Sequence, residues 1–307
     1  MDKILFIDGL NSIYRSCISF GPKISHDICL PACENLKHSQ VESHCACGSP
    51  WDVLNSKCYG DQYLFVYNFF RNLRPLIEDF APDKCYFVLE GHPQFRYALY
   101  PEYKANRIIK EASKKEFKDK FYQVKDIILS LIKYLPITIC SAANYEADDL
   151  VGTLCDNLLE DDLTVISNDA DYIQLLQRGY SNIHIFNPIK KTFMEAPKEH
   201  YLILKSLKGD KSDNIPRLVS DKKALEYCND PDKLDKFLSI EENRANFQIN
   251  RQLVEFQTVP LEEIILQEPQ PDFNILKSRF VDMRFNSIIK EDYWNRFVES
   301  FNCLDSI

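Results

Sequence analysis

The segment "KILFID", Lys3–Asp8, is a run of apolar, strand-forming residues that ends on an aspartate. Two further runs of this kind, "KCYFVLE" and "DLTVISND", lead to Glu90 and Asp169, and segments with a helical period separate them. Short apolar runs that alternate with helical segments are typical of a parallel sheet covered on both faces by helices. The sequence therefore predicts an α/β fold with a mostly parallel central sheet flanked by helices.

The strands of this predicted sheet end in carboxylates. In open parallel sheets, binding sites form beyond the carboxyl ends of the strands, so acids that follow different strands are expected to converge. A fourth apolar run, "PITIC", leads into "NYEADDLVGT", and a later stretch, "LKGDKSDNIP", adds acids beside a glycine turn. The candidate acids are Asp8, Glu90, Glu146, Asp148, Asp149, Asp169, Asp171, Asp210 and Asp213.

So many carboxylates at one edge of a sheet predict a metal site. Two like charges about 4 Å apart cost on the order of 4 kcal/mol at a surface-like dielectric constant, so the cluster must bind protons or cations. Oxygen ligands without nearby His or Cys favour Mg²⁺ or Mn²⁺ over zinc. A single aspartate after a strand is more often a helix cap or a turn residue, but that interpretation does not explain acids at four strand ends.

The overall charge of the chain is acidic, and its basic residues are segregated. There are 37 Lys and Arg against 46 Asp and Glu, which gives a net charge of −9 and a pI near 5.3. This balance alone disfavours a nucleic-acid partner, because phosphate binding depends on Lys and Arg. The stretch from Lys104 to Lys125, however, contains eight basic residues and three acids. We therefore expect the ligand to meet a basic segment and an acidic pocket separately.

The N-terminal stretch "MDKILFIDGLNS" does not have the pattern of a signal peptide. Only four apolar residues separate its Lys from the following Asp, and no run in the sequence approaches the length of a membrane span. We expect a cytoplasmic protein without membrane contact, in which the 11 cysteines are reduced.

Several segments, taken in order, resemble the motifs of one protein family. They are "FIDGLNSIYRS", "QFRYALYPEYKANR", "YEADD", "SNDADYIQL", "LKGDKSDNIP" and "NRQLVEFQTVP". They resemble the motifs of the flap endonuclease or 5′ nuclease superfamily, a PIN-like group. In chain order, the corresponding family motifs are the first strand and helix, the basic helix, the acidic helix start, the paired aspartates, the last metal motif and the closing helix. The resemblance is closest to the phage 5′→3′ exonucleases of the T-even ribonuclease H type. Ordered motifs of this length form a joint signal that none carries alone.

The resemblance implies two groups of metal carboxylates and two bound Mg²⁺ ions, which Mn²⁺ can replace. The first group is Asp8, Glu90, Glu146 and Asp148, and the second is Asp169, Asp171, Asp210 and Asp213, with Asp149 nearby. Asp148 is also predicted to be essential for catalysis. The family usually has Asp where this chain has Glu90, whose longer side chain must reach the site through another rotamer or a bridging water.

The same resemblance implies two nucleic-acid contacts. Residues 92–125 correspond to a basic helical arch over the active site, in which Lys104 and Arg107 face the scissile phosphate and Arg96 and Tyr103 contact the nucleic acid. A solvated helix face is the plainer interpretation of such a basic run. The second contact is "NIPRLVSDKKA", which replaces a glycine-rich hairpin of many relatives. It keeps the cations Arg217, Lys222 and Lys223 but lacks the glycines that allow close approach to a DNA backbone.

The predicted activity is that of a metal-dependent 5′→3′ exonuclease and flap endonuclease. It would hydrolyse phosphodiesters at the ends of RNA–DNA and DNA duplexes and remove RNA primers in phage replication, in the bacterial host cytoplasm if the chain is phage-encoded. Residues 1–205 would form the catalytic domain and residues 206–307 a helical DNA-binding region. The expected partners are branched or 5′-ended DNA, RNA–DNA hybrid, and a single-stranded-DNA-binding protein or sliding clamp, with the protein itself a monomer.

Two other functions are weighed against this activity. One is a branched-DNA-binding protein of the same fold with weakened catalysis, which the Glu90 departure and the altered hairpin make conceivable. The other is a haloacid-type phosphatase, which also begins with a strand ending in Asp. That chemistry needs a second aspartate two residues after the first, where this chain has Leu10, so we disfavour it.

An insertion at residues 26–60 is rich in cysteine and histidine. Five of the 11 cysteines fall within it, and with His26, His38 or His44 they could hold a structural Zn²⁺. These cysteines are Cys29, Cys33, Cys45, Cys47 and Cys58. Their spacing lacks the paired C-x₂-C pattern of familiar zinc sites, so a surface loop with reduced thiols is the alternative.

Overall fold

The computed structural model describes residues 1–18, 51–52, 57–58, 60–107, 115–283 and 285–304. Its strands are β1 (Lys3–Asp8), β2 (Trp51–Asp52), β3 (Lys57–Cys58), β4 (Lys84–Leu89), β5 (Thr138–Ser141), β6 (Asp162–Ile166), β7 (Ile183–Asn187), β8 (Thr192–Phe193) and β9 (Ile265–Gln267). Seven of them form one sheet in the order β8-β7-β6-β1-β4-β5-β9. The five inner strands are parallel, and the edge strands β8 and β9 are antiparallel to their neighbours. The predicted mostly parallel α/β sheet is confirmed.

Helices connect the strands and cover the sheet. They are α1 (Gly9–Ile18), α2 (Gly60–Phe80), α3 (Gln94–Leu99), α4 (Lys115–Ile132), α5 (Ala147–Asn157), α6 (Ile173–Leu176), α7 (Tyr201–Lys208), α8 (Asp221–Asn229), α9 (Pro231–Leu238), α10 (Glu241–Val254), α11 (Phe273–Asp282), α12 (Asn286–Ile289) and α13 (Glu291–Glu299). Two short 3₁₀ helices span Ala170–Tyr172 and Leu261–Glu263. Within the described ranges, no helix combines the length and the apolar content that a membrane crossing requires.

The central strand β1 is buried on both faces, which explains its uninterrupted apolar run. Leu5 and Ile7 belong to a core shared with α1, α2 and α4, whereas Ile4 and Phe6 belong to a second core shared with α5. Successive side chains of a strand point to opposite faces, so both sets must be apolar when helices cover both faces. This position also places the end of β1 between the ends of β4 and β6.

The end of the described chain returns to the sheet. Strand β9 pairs with β5, and Phe280 of α11 packs edge-on against Phe70 of α2, with 5.0 Å between ring centroids. The helices α7 to α10 instead surround a separate small core around Leu207, Ala224 and Phe247. The predicted division at residue 205 stays a prediction. Within the predicted region 206–307, the segment from Ile265 onward contributes to the packing of the sheet.

Two sequence predictions concern parts of the chain with little described structure. Cys29, Cys33, Cys45 and Cys47 fall in 19–50, beyond the described ranges, and Cys58 ends the short strand β3, which pairs with β2. The zinc site of the 26–60 insertion therefore stays a prediction. Of the basic arch at 92–125, the structure describes α3, the residues up to 107 and the start of α4.

Candidate metal centre

Three strands place carboxylates at one edge of the sheet. Asp8 is the last residue of β1, Glu90 follows β4 directly, and Asp169 comes three residues after the end of β6. The hydroxyl of Ser167 donates to Asp8 Oδ2 at 3.0 Å, and the backbone N–H of Asp169 donates to the Ser167 hydroxyl at 3.1 Å. Ser167 thus links the ends of β1 and β6.

The Asp8 carboxyl lies at the bottom of this edge. It is 9% exposed, and its Oδ1 accepts the backbone N–H of Asn11 at 3.1 Å. Burial raises the pKa of Asp8 to about 7, with Asp169 and Glu90 adding to the rise and the two hydrogen bonds opposing it. A carboxyl that is hard to ionise alone gains most from a bound cation, which favours its charged form.

The start of α5 adds the acids of "YEADD". Glu146 is the N-cap residue and forms a capping box with Asp149, because each side chain accepts the backbone N–H of the other residue. Oxygens of Glu146, Asp148 and Asp149 all lie within 4.8 Å of one another. Burial, then the charges of Asp149 and Glu146, raise the pKa of Asp148 well above its ordinary value. The helix N-terminus and the cations Arg96 and Lys104, which pair with Asp149 and Glu146, stabilise the crowded charges.

Asp149 is fully buried and its oxygens are all engaged. Arg96 Nη1 donates to Oδ2 at 2.5 Å and Nη2 to Oδ1 at 2.7 Å. Oδ2 also accepts the N–H of Glu146 at 3.1 Å, and Oδ1 accepts the N–H of Gln257 at 2.7 Å. Each oxygen of Asp149 thus already accepts two hydrogen bonds, so we interpret Asp149 as a residue that fixes the start of α5.

The second group of acids lies around the end of α7. Oxygens of Asp171, Asp210 and Asp213 lie within 4.8 Å of one another. The Nζ of Lys205 contacts Asp171 Oδ1 and lies 2.9 Å from Asp210 Oδ2. Although burial opposes it, the charge of Lys205 and the hydrogen bonds of Ser212 lower the pKa of Asp210 to about 2.

Gly209 turns the chain so that Asp210 faces this group. Its φ is 67° and its ψ is −177°, a conformation that is essentially restricted to glycine. A Cβ at this position would lie 2.5 Å from the carbonyl oxygens of Ile215 and Pro216. The turn is closed by mutual backbone hydrogen bonds between Asp210 and Ile215.

Tyr103, Lys104 and Arg107 lie between the two groups. The Tyr103 hydroxyl is 2.9 Å from Glu146 Oε2 and 3.3 Å from Asp213 Oδ2. Lys104 Nζ contacts Glu146 and lies 4.0 Å from Asp213, and Arg107 Nη2 contacts Asp213. The cations predicted to face a phosphate therefore neutralise the carboxylates in this structure.

The structure corrects the interpretation of Arg96 and Tyr103 as nucleic-acid contacts. Each is only 2% exposed. Arg96 uses its remaining donors on the carbonyl oxygens of Leu253 and Glu255, at 2.9 and 3.2 Å, and its Nη1 also lies 3.1 Å from Glu146 Oε2. A buried guanidinium with every N–H engaged has none left for a phosphate, and a buried ring has no face on which a base can stack. The spacing of the basic helix could not reveal this, because burial depends on the packing of α10.

The downstream cations are exposed, and in the described chain none of the three forms an ion pair with a proposed metal carboxylate. Lys222 and Lys223 are exposed in the first turn of α8, and Arg217 is exposed with its guanidinium 3.1 Å from Asp221. Arg217 lines a cavity of about 710 Å³ that also contains Asp171 and Asp210. Of the three, Arg217 is the one that lines this cavity beside the second acid group.

Sequence reasoning missed three polar residues at this site. Ser167 joins two strand ends, Lys205 pairs with two acids, and the Tyr172 hydroxyl is buried without a hydrogen-bond partner within the described chain. The spacing of Tyr201 and Lys205, four residues apart on α7, was the available signal for Lys205. The orphaned Tyr172 hydroxyl is close enough to Asp8, Asp148 and Asp169 for their charges to contribute to its raised pKa, after burial.

The donor set fits a hard divalent cation. Both groups offer carboxylate oxygens. Within the described chain, Asp8 and Asp148 are among the acids that have no cationic side chain within 4 Å. An orphaned hydroxyl beside them is a further polar group that a hydrated ion would satisfy. Oxygen ligands of this type suit Mg²⁺ or Mn²⁺.

Comparisons with known proteins agree with the motifs. A family model described as "5'-3' exonuclease, N-terminal resolvase-like domain" matches residues 41–203. A 5'-3' exonuclease of Bacillus subtilis is 30% identical over 226 residues, which cover 64% of this chain and 73% of that protein. DNA polymerase I of Chloroflexus aurantiacus is 29% identical over 197 residues, 58% of this chain and 20% of that protein. The chain thus spans about a fifth of the length of this polymerase.

Solved structures share the fold over almost the whole chain. The T5 D15 protein crystallised with metal ions aligns with a TM-score of 0.54 and 16% identity, covering 97% of each chain. A variant of the bacteriophage T5 D15 flap endonuclease, in a pseudo-enzyme-product complex with DNA and metal ions, aligns with a TM-score of 0.55 and 17% identity. At these identities the likeness establishes a common fold.

Proposed function

The chain belongs to the 5′-3′ exonuclease family, a class of nucleases, and from that premise we propose that it is a Mg²⁺-dependent 5′→3′ exonuclease and structure-specific flap endonuclease. Its substrates would be the 5′ ends of RNA–DNA and DNA duplexes and branched DNA with a 5′ flap. The observation that carries this proposal is the convergence of carboxylates from separate strand ends next to the partly buried Lys104 and the exposed Arg107.

The two acid groups would each hold a cation. Asp8, Glu90, Glu146 and Asp148 are the proposed ligands of the first, and Asp169, Asp171, Asp210 and Asp213 of the second. When bound, two Mg²⁺ ions would supply the positive charge that stabilises an in-line displacement at phosphorus. We assign Asp149 a positioning role, because Arg96, Glu146 and Gln257 already occupy both of its oxygens.

The other residues of the site would prepare the acids and the substrate. Ser167 holds Asp8 through its hydroxyl, and Tyr103 holds Glu146 and Asp213 at a fixed separation. Lys104 and Arg107 now pair with those acids. Once other cations neutralise the acids, these two side chains become available to bind the scissile phosphate, which is their proposed catalytic role.

The exposed cations Arg217, Lys222 and Lys223 are the proposed contacts with the duplex backbone. Their exposure supports this role, because phosphate binding needs accessible charges. Residues 1–205 are the proposed catalytic unit, and α7 to α10 the proposed helical DNA-binding part. Removal of RNA primers during phage replication, action in the cytoplasm as a monomer, and recruitment by a single-stranded-DNA-binding protein or sliding clamp are further parts of this proposal.

A cleavage assay tests the proposed function. A 5′-labelled flap, a nicked duplex and an RNA-primed duplex are compared side by side with Mg²⁺, with Mn²⁺ and with excess EDTA. We expect short labelled products only with a divalent ion, and their ratio among substrates gives the balance of flap, exonuclease and RNA cleavage. Undiminished turnover in excess EDTA would contradict the proposal.

Two substitutions on the same helix sharpen the assay. Asp148→Asn removes a proposed metal ligand and should abolish cleavage while the protein still binds the flap. Asp156→Asn changes an exposed acid of α5 that pairs with Arg178, and should cleave like the wild type. If the wild type binds flaps but never cleaves them with either ion, the alternative of a catalytically weakened branched-DNA-binding protein is favoured.

A further inference from the structure

Lys205 lies inside the second acid group. Its side chain is 13% exposed, its Nζ contacts Asp171 Oδ1 and lies 2.9 Å from Asp210 Oδ2. The hydroxyl of Tyr201 donates to the same Asp171 oxygen at 2.5 Å, and the ammonium lies 5.8 Å from the centre of the Tyr201 ring. Its position is therefore defined by two carboxylates and one aromatic face.

The backbone fixes this arrangement. Tyr201 and Lys205 are four residues apart on α7, so their side chains share one face of the helix. Gly209 then reverses the chain and brings Asp210 back against that face. The Nδ2 of Asn250 donates to the carbonyl oxygens of Ser206 and Pro216, at 2.8 and 2.7 Å, which ties the helix to the turn.

The two acid groups differ in how their charge is balanced. In the second group, Lys205 pairs with Asp171 and Asp210, and Arg107 pairs with Asp213. In the first group, Arg96 and Lys104 pair with Asp149 and Glu146, and Asp148 accepts a backbone N–H. No Lys or Arg of the described chain lies within 4 Å of Asp148 or Asp8. A divalent ion thus meets Asp8 and Asp148 without a directly paired cation in the first group, whereas Lys205 or Arg107 pairs with three of the four acids of the second.

We propose that Lys205 is a built-in cation of the second acid group, which competes with a divalent ion for Asp171 and Asp210. The protein then binds one divalent ion tightly at the first group, and a second ion only when it displaces the ammonium of Lys205. This inference rests on the proposed metal site. It adds that the first acid group binds its ion more tightly than the second. The competition follows from geometry, because one carboxylate oxygen cannot keep a 2.9 Å contact with Nζ and also coordinate an ion at the same position.

Mn²⁺ binding to the full chain tests the proposal. Free Mn²⁺ is measured by its electron paramagnetic resonance signal during titration of metal-free wild type, Lys205→Met, Lys205→Arg and Lys208→Met. Lys208 is on the same helix, is 38% exposed and lies 3.9 Å from Asp221, so it is a matched control outside the acid group. Lys205→Arg keeps the positive charge, whereas Lys205→Met keeps the aliphatic packing without it.

We expect the wild type to bind one Mn²⁺ tightly and a second about tenfold or more weakly. Lys205→Met should tighten the second binding step by about tenfold and leave the first unchanged, whereas Lys205→Arg and Lys208→Met should resemble the wild type. Equal affinities of both steps in the wild type, or an unchanged or weakened second step in Lys205→Met, overturns the proposal while the metal site stands. Absence of any Mn²⁺ binding to the wild type overturns the metal site and this inference together.

Thermal unfolding provides a second measurement if Lys205→Met is too unstable to titrate. Loss of the ammonium leaves Asp171 and Asp210 to repel each other, so the metal-free variant should melt below the wild type. Mn²⁺ should then raise its melting temperature by more than it raises that of the wild type or Lys208→Met. An equal or smaller rise contradicts the proposal.

Discussion

The guanidinium of Arg96 and the carboxylate of Asp149 form a bidentate ion pair that is closed to solvent. Their N–O distances are 2.5 and 2.7 Å, and the side chains are 2% and 0% exposed. Every remaining donor of Arg96 and acceptor of Asp149 is used by the backbone of residues 253–257 or by Glu146. The pair therefore joins α3, the start of α5 and the end of α10 beneath the proposed metal site.

Breaking this pair should destabilise the protein strongly. Asp149→Asn removes one of the two carboxylates that pair with the buried guanidinium and leaves only Glu146, 3.1 Å from Nη1. Loss of one partner of a buried pair costs about 3–5 kcal/mol, and the remaining Glu146 places this variant near the lower end of that range. The free energy of unfolding, measured by urea denaturation of metal-free protein, should fall by about that amount. Arg251→Met breaks the half-exposed pair with Glu255 on α10 and should cost less than about 1 kcal/mol. Similar losses in both variants would contradict the assigned role of the buried pair.

The turn at Gly209 should not tolerate a side chain. Gly209→Ala combines an unfavourable φ of 67° with contacts of 2.5 Å to two carbonyl oxygens, so we expect a loss of about 2–4 kcal/mol. Gly179→Ala is the matched control, since Gly179 also has a positive φ of 82° but a Cβ added there would meet no atom within 4 Å. That change should cost about 1 kcal/mol. Equal costs would show that the close approach at Gly209 is unimportant.

Metal-free protein should lose stability as the pH rises from about 4 to about 7. The pKa of Asp8 is raised from 3.8 to about 7, so between these values the folded protein keeps a proton that the unfolded chain has released. Because the folded state binds more protons there, unfolding becomes easier with rising pH, by up to about 4 kcal/mol from this group. Asp8→Asn should reduce this slope. Parallel pH profiles of wild type and variant in urea denaturation would contradict the prediction.

Two buried tyrosines should respond differently to loss of the hydroxyl. Tyr103→Phe removes the hydroxyl that lies 2.9 Å from Glu146 and 3.3 Å from Asp213, and should cost about 1–3 kcal/mol. Tyr172→Phe removes a buried hydroxyl that has no partner in the described chain, and should leave metal-free stability unchanged or raise it by about 1 kcal/mol. Thermal unfolding of both variants checks the sign. A large loss for Tyr172→Phe would indicate a hydrogen bond that this structure lacks.

The sequence predicted the strands and the place where their acids meet, because both follow from local patterns. A run such as Lys3–Asp8 has no polar interruption when helices cover both faces of the sheet, and the acids after β1, β4 and β6 share one edge once the strands are parallel. The predicted fold class required no knowledge of the loops. The same logic brought Glu146 and Asp148 to this edge through the strand before α5.

The partners of the individual charges could not be predicted from the sequence. Arg96 looked like one of several cations in a basic run, and its burial depends on Leu253 and Glu255, more than 150 residues away. Asp149 looked equivalent to Asp148, but Gln257 and Arg96 occupy its oxygens. Lys205 was missed because its function depends on Gly209 turning Asp210 back toward it.

The segment after α10 has a consequence for synthesis of the protein on the ribosome. Leu253, Glu255 and Gln257 hold Arg96 and Asp149, and the N–H of Val259 donates to the Thr153 hydroxyl at 2.9 Å. A nascent chain that has exposed all the proposed metal ligands, up to Asp213, still lacks these contacts. The acidic helix start can therefore reach its final geometry only after about residue 259 has left the exit tunnel, so the growing chain is expected to remain inactive until then.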